Sequence, residues 1–240
     1  LAPSLFSLHT STIPIPNDPL NFTQLYADDI VVAQYGRNAS KKLQTALENI
    51  EKWATDLNIN INPGKCAAMF VRKRTPPPTP VIQNQDIPYT NIIKYLGIII
   101  DSRLNWSRHI KSLKQKSILL SRLTRAAGAC PHIAPTIYKQ IIRPTIEYGL
   151  PLLKNACQTS RALYTSAHTV PLKRLLGLPI RSPNTNLLKE LALEAPLERV
   201  DYATDKFFQN CRTNPFDIPT LENILRDRHI RPGKRSPADG

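Results

Sequence analysis

The sequence is poor in glycine and cysteine and nearly devoid of methionine. Eight glycines accompany 22 prolines in 240 residues, so segment ends are set more by proline than by glycine turns. The four cysteines stand at 66, 130, 157 and 211, far apart and without a Cys-x-x-Cys pair. That spacing excludes a zinc ribbon, argues against a disulfide framework and suits a reducing intracellular compartment. No run approaches the roughly 18–20 apolar residues of a membrane span, so no membrane is expected as a partner. The opening LAPSLFSLHT has neither a basic n-region nor a signal-peptide layout. Without an initiator methionine it reads as the interior of a longer frame.

Hydrophobic residues make up 41% of the chain, enough for a core in one large or two small domains. Charge is distributed unevenly. Residues 1–102 carry nine basic and eight acidic side chains, and residues 182–240 carry nine of each. Residues 103–181 carry 14 basic side chains and one acid, Glu147, which accounts for nearly all of the net +14. A solvated face ordinarily mixes signs. A block of one sign points to a polyanion, of which nucleic acid is the commonest.

Residues 22–34, FTQLYADDIVVAQ, predict two short strands around an acidic turn, because the flanks are β-branched and aromatic. A helix follows, capped by Asn38 or Ser40, with Leu43, Leu47, Ile50, Trp53 and Leu57 at helical spacing. Trp53 fits its apolar face. Asn58 to Asn62 alternate like a half-buried strand, Pro63-Gly64 turns, and Cys66 to Val71 read as another strand. Arg72 to Pro80 is a proline-rich loop. Val81-Ile82 and Ile92 to Ile100 close this part as one hairpin. Beyond it the pattern is helical. One helix runs to Ala127 from a cap at Asn105 or Ser107, with Ile110, Leu113, Leu119 or Leu120, Leu123 and Ala127 inward. A second starts near Pro135 and is kinked or divided at Pro144, and a third, at 160–177, is broken by Pro171. Short helices cover Thr185–Leu193 and Val200–Asn210, and the tail frays after Arg226.

The chemistry concentrates at Tyr26-Ala27-Asp28-Asp29. Adjacent carboxylates at a tight turn raise each other's pKa unless a cation compensates. A hard divalent ion held by carboxylates and phosphates is the usual compensation, and pairs of such ions serve phosphoryl transfer. An Asp-Asp pair is also common in ordinary turns, and an Asp-Asp hairpin occurs in divalent-metal polymerases and nucleases of several kinds.

Tyr-Ala-Asp-Asp in a strand hairpin resembles the palm motif of reverse transcriptases, and most nearly those of jockey-like non-LTR retrotransposons. LAPSLFSLHTSTIP at 1–14 resembles the end of the preceding motif. LNININPGKC at 57–66 resembles the next palm motif. KYLGIIID at 94–101 and LNWSRHI at 104–110 resemble the primer-grip hairpin leading into the thumb. IYKQIIRPTIEYGLP at 137–151, PLKRLLGLPIRSPN at 171–184 and KFFQN at 206–210 resemble the segments beyond.

The resemblance implies an α+β fold. Residues 1–102 form half of a palm, an antiparallel sheet with a packed helix and the grip hairpin. Residues 103–181 form a basic helical thumb, and 182–240 a C-terminal helical region. It implies an RNA-directed DNA polymerase that extends a DNA primer on an RNA template with deoxynucleoside triphosphates and two Mg²⁺ ions. Asp28 and Asp29 become metal ligands, with Asp29 the weaker. Tyr26 and Ala27 lie at the primer end or nucleotide, and Lys65 approaches the triphosphate. Leu96 and Gly97 form the grip turn. Arg108, Lys111, Lys114, Lys116, Arg122 and Arg125 follow the nucleic-acid backbone. Synthesis in the family is at nuclear DNA, so nucleus or cytoplasm is expected.

Such a centre needs another carboxylate on a separate strand. The acid upstream of Asp28 is Asp18, bracketed by residues of a Pro-Asn-Asp-Pro loop, and Asp101 suits a turn or cap. The chain alone is therefore expected to be inactive, and the alternative to a polymerase fragment is a non-catalytic nucleic-acid-binding remnant.

Overall fold

A computed structural model gives the fold and describes residues 2–16, 18, 20–71 and 75–213. The expected frayed tail and the first part of the Arg72–Pro80 loop fall outside these. The chain forms two compact units, residues 1–93 and 94–240.

In the first unit the β-branched run around the acidic turn pairs as expected. Strands β1 (Asn21–Tyr26) and β2 (Asp29–Gln34) are antiparallel, with Leu25 opposite Ile30 and Tyr26 opposite Asp29. That register leaves Ala27 and Asp28 as a two-residue loop. Ile30 and Val32 face helix α2 (Ala39–Asp56) and join a cluster built on Ile50, Trp53 and Ala54, with Ile13, Leu57, Ile59 and Ile61 against it. Trp53 is a core residue, and its indole N–H donates to the Thr12 hydroxyl at 3.0 Å. Asn38 occupies the cap position of α2, but its backbone is left-handed (φ 61°) and its side chain caps nothing. Helix α1 (Ala2–Thr10) is not among the elements that the sequence pattern predicts. Leu5 and Leu8 on it are exposed, so it carries no inward apolar stripe to be read.

Two expected strands are absent. Ile59 and Ile61 turn inward while Asn58, Asn60 and Asn62 turn outward, as their alternation requires, yet no ladder forms at 58–62. The Ile59 N–H bonds back to the Ala54 carbonyl of the preceding helix, and the Lys65 and Cys66 amides close a 3₁₀ turn at Pro63–Lys65. Inward packing against α2 thus produces a period of two without a partner strand. Residues 66–71 contribute one bridge, Ala68 to Tyr89. The single expected hairpin is two. β3 (Val81–Ile82) pairs with β4 (Gln85–Asp86) around Gln83-Asn84, both at positive φ, and β5 (Ile92–Tyr95) pairs with β6 (Ile98–Asp101). The class is α+β, but among the described residues the strands make three separate two-stranded sheets rather than one.

In the second unit, Asp101 initiates helix α3 (Ser107–Ala126). Its buried carboxylate accepts the backbone N–H groups of Arg103, Asn105 and Trp106 at 3.0, 3.3 and 3.2 Å. The Asn105 side chain accepts the Ser107 N–H at 2.9 Å. Asp101 thus holds the turn that leads into α3, as the sequence suggests, while the cap position is Trp106 (φ 62°), without a side-chain cap bond, rather than Asn105 or Ser107. Asp101→Ala should cost about 2–3 kcal/mol in denaturant unfolding, because three partly buried donors then lose a charged acceptor. An unchanged midpoint would contradict this assignment.

The inward face of α3 is the expected one at Ile110, Leu113 and Leu120 and departs from it at Leu123. Ile110, Leu113, Ser117 and Ser121 are buried, while Leu119 and Leu123 are 54% and 58% exposed. The reason is helix α6 (Gln158–Leu175), which approaches at the two serines. The Ser117 hydroxyl donates to the Ala167 carbonyl at 3.0 Å. Small side chains permit that approach, and two leucines there would hold the helices apart.

Neither internal proline divides its helix. Ahead of Pro144, α4 (Ala134–Ile137) widens into a π turn at Tyr138–Ile142 and continues as α5 (Arg143–Glu147). A π turn is a common way to absorb a break in the helical bond ladder. Pro171 lies inside α6, fully buried in the core. A mid-helix proline costs about 3 kcal/mol, and burial of its ring with Leu172 and Leu175 opposes that cost. Helices α7 (Asn184–Glu190) and α8 (Pro196–Thr213) complete a core of Ile110, Tyr138, Ile142, Ile146, Tyr164, Leu172, Leu187 and Val200. Among the described residues no helix is long and apolar enough to cross a membrane.

An isolated two-stranded hairpin is marginal in water. Amide exchange of the chain should therefore show weak protection over residues 22–34 and strong protection over 107–127. Equal protection would mean that α2 alone suffices to stabilise β1 and β2.

Candidate active site

The loop that closes β1 and β2 is tight. Ala27 sits at φ 52°, a left-handed conformation that costs a side-chain-bearing residue free energy and clusters at functional sites. Asp28 follows it and Asp29 opens β2. Both are exposed, and among the described residues neither has an ion pair or a side-chain hydrogen bond to another group. Tyr26, 60% exposed, stands opposite Asp29 on the face turned away from α2. Two neighbouring carboxylates without a cation are the electrostatic demand that a hard divalent ion meets.

The other two acids that could complete such a centre are engaged elsewhere. Asp18 pairs with Lys42 at 2.6 Å and accepts the Leu20 N–H at 2.9 Å. The Lys42 ammonium holds its carboxyl below the usual range. Asp101 holds the turn ahead of α3. Among the described residues no group of three or more His, Cys, Asp or Glu stands together. The donors at 28 and 29 therefore suit Mg²⁺ in kind and fall short in number.

Lys65 ends the 3₁₀ turn after Asn62, whose side chain accepts the Gly64 N–H at 3.0 Å. Its side chain is exposed. The segment before it, through Ile59 and Ile61, rests on the same apolar cluster as Ile30 and Val32 just after Asp29. The two candidate elements thus share one anchor.

Leu96 and Gly97 form the loop between β5 and β6, at φ 44° and 81°. Sequence reading missed two residues that hold this hairpin. The Tyr148 hydroxyl donates to the Leu96 carbonyl at 2.7 Å, and His109 accepts the Ile99 N–H through Nδ1 at 3.3 Å. Burial pushes the His109 pKa down, so its neutral form is favoured. Neither residue has a sequence neighbour that announces the contact.

Of the six expected backbone-following residues, Arg108, Lys111, Lys116, Arg122 and Arg125 are exposed on α3. Arg125 also donates to the Arg174 carbonyl at 3.2 Å. Lys114 is half-buried and donates to the Ser166 hydroxyl at 2.7 Å. Elsewhere in the basic block, Lys173 is buried and donates to the Ile180 and Ser182 carbonyls at 2.9 and 2.5 Å. The block's one acid, Glu147, is bound bidentately by Arg199 of α8, which also contacts Glu194. That hydrogen-bonded pair raises the Arg199 pKa. Glu147 therefore does not offset the exposed cations of α3. His168 is a core group. Burial pushes its pKa down to about 3, and the Tyr138 hydroxyl lies 2.6 Å from its Nδ1.

Residues 1–100 match the family described as Reverse transcriptase (RNA-dependent DNA polymerase). The matched segment contains both aspartates, Lys65 and the Leu96-Gly97 turn. More particularly, the whole chain is similar to RNA-directed DNA polymerases of mobile elements. It is 25% identical to the probable RNA-directed DNA polymerase from transposon X-element of Drosophila melanogaster, over 100% of this chain and 28% of that protein. It is 24% identical to the RNA-directed DNA polymerase from mobile element jockey of Drosophila funebris, over 98% of this chain and 27% of that protein. The jockey polymerase of Drosophila melanogaster is 25% identical, over 90% and 25%. The chain spans about a quarter of the length of these curated relatives. No solved structure matches it.

Proposed function

We propose that these 240 residues are the palm-hairpin and thumb portion of an RNA-directed DNA polymerase that extends a DNA primer on an RNA template. Residues 1–102 carry the catalytic hairpin and grip turn, 103–181 the thumb, and 182–240 the region beyond it. The observation that carries this reading is the pair of exposed, uncompensated carboxylates at a strained two-residue hairpin loop.

Asp28 is the principal ligand of the Mg²⁺ site and Asp29 the supporting one. Mg²⁺ bound there supplies charge that activates the attacking 3′ oxygen and stabilises the leaving pyrophosphate. Tyr26, beside Asp29 on the open face, supports the primer end or incoming nucleotide, with Ala27 allowing close approach. Lys65 neutralises the triphosphate and donates a proton at the leaving oxygen. The exposed cations of α3 follow the phosphate backbone without reading bases.

The chain by itself does not extend a primer, because the carboxylates it brings to the hairpin are too few. That shortage also favours a second reading, a nucleic-acid-binding segment without catalysis of its own. Incorporation of labelled deoxynucleotide on a primed RNA template tests both. The 240 residues alone should give none. Joined to an upstream segment that supplies fingers and a partner carboxylate, they should give Mg²⁺-dependent extension. Failure of the joined protein, if folded and bound to template, favours the second reading. Extension by the chain alone would mean that a different carboxylate completes the site.

A further inference from the structure

The Leu96-Gly97 turn is held from outside by one hydroxyl. We infer that Tyr148 is a positioning residue for the primer terminus, setting the height of this turn through the Leu96 carbonyl. The inference rests on the reading of the turn as a primer grip.

A two-residue loop with both residues left-handed is tight, and Leu96 at φ 44° is in a region that a branched residue avoids. The Tyr148 hydroxyl takes the Leu96 carbonyl at 2.7 Å. A Cβ on Gly97 would lie 3.4 Å from the Tyr148 ring, so the ring backs the loop closely. Tyr148 is itself fixed on both sides. Before it, Glu147 is locked by Arg199 of α8. After it, Gly149 adopts φ 75°, and a Cβ there would meet the Ile98 side chain at 3.3 Å. His109, from α3, takes the Ile99 N–H. Contacts thus fall at 96, 97, 98 and 99, all from the helical unit that carries the basic face of α3. The grip turn and the phosphate-binding helix share one frame, so a primer held by its backbone on α3 meets the turn at a set distance. Misplacement by about 1 Å can cost about 10²-fold in such chemistry.

The tyrosine ring is 53% exposed, so its hydroxyl bond adds little to global stability. That separates positioning from folding. The test uses the 240-residue chain with a DNA primer ending in 4-thiothymidine, annealed to an RNA template. After irradiation, crosslinked peptides are mapped by mass spectrometry, and affinity and unfolding midpoint are measured in parallel. The unsubstituted chain should crosslink its primer end at residues 95–98. Tyr148→Phe should lower that yield by about two- to tenfold, the range one net hydrogen bond spans, with affinity and midpoint unchanged. Gly97→Ala should lower it too, since φ 81° strains any side chain. An unchanged yield in Tyr148→Phe overturns the inference, as does a fall matched by equal losses of affinity or stability. Absence of crosslinking at the turn in the unsubstituted chain, at saturating binding, overturns the grip reading on which the inference stands.

Discussion

Asp28→Ala, in the 240 residues joined to a complementary upstream segment, should reduce primer extension by at least about 10³-fold. A bound metal ion contributes several kcal/mol to the transition state, and about 4 kcal/mol corresponds to that factor. Asp28 lies in the loop itself, free of any partner among the described residues. Asp29 is already in β2, opposite Tyr26 on the open face, so Asp29→Ala should cost less. Neither substitution should lower the unfolding midpoint, because neither side chain is buried or bonded. Asp101→Ala gives the converse pattern, loss of stability through the turn ahead of α3. Steady-state extension and denaturant unfolding on the same preparations separate the two roles. Near-normal extension by the Asp28 variant would remove the hairpin from the proposed chemistry.

Nucleic-acid binding by the chain should weaken steeply with salt. Five exposed cations stand on α3. If about four of them neutralise phosphates, affinity should fall by about two orders of magnitude between 50 and 200 mM salt. Replacing Lys111, Lys116 and Arg122 together by Ala should flatten the slope of log affinity against log salt by about two to three. The loss should be about equal for all base sequences, since phosphate contacts carry no base information. Lys114 is a poorer choice, because its ammonium is already bonded to Ser166. Lys173→Ala should act differently again, by freeing the carbonyls of Ile180 and Ser182 rather than by removing surface charge. Filter binding across a salt series measures these slopes. Binding indifferent to salt would exclude the basic face as the site.

Much of this was legible because it depends on neighbours in sequence. β-branched residues on both sides of Asp28-Asp29 make a hairpin through local conformational preference. The turn at Asp101 and the end of α3 before Gly128 follow from short-range bonding of backbone amides. The concentration of cations at 103–181 is a matter of counting, and the Tyr-Ala-Asp-Asp, Lys65 and Leu96-Gly97 patterns stand in the chain itself. The same locality explains the failures. Alternation at 58–62 reports which side chains turn inward, and α2 can receive them as well as a sheet can. A leucine pattern reports a possible inward face of α3, but Ser117 and Ser121 are chosen by how closely α6 approaches. Pro171 is tolerated because the burial that offsets its missing N–H comes from residues distant in sequence.

The sequence by itself determined the α+β class, the acidic hairpin, the basic middle and the likeness to reverse transcriptases of mobile elements. Only the tertiary structure decided which charges are available. It assigns Asp18 to Lys42, Glu147 to Arg199 and Lys173 to two carbonyls, and leaves Asp28, Asp29 and the outer face of α3 uncommitted. A charge is spent or free according to what lies within about 3 Å of it, and for Asp18 and Glu147 that neighbour is 24 and 52 residues away along the chain.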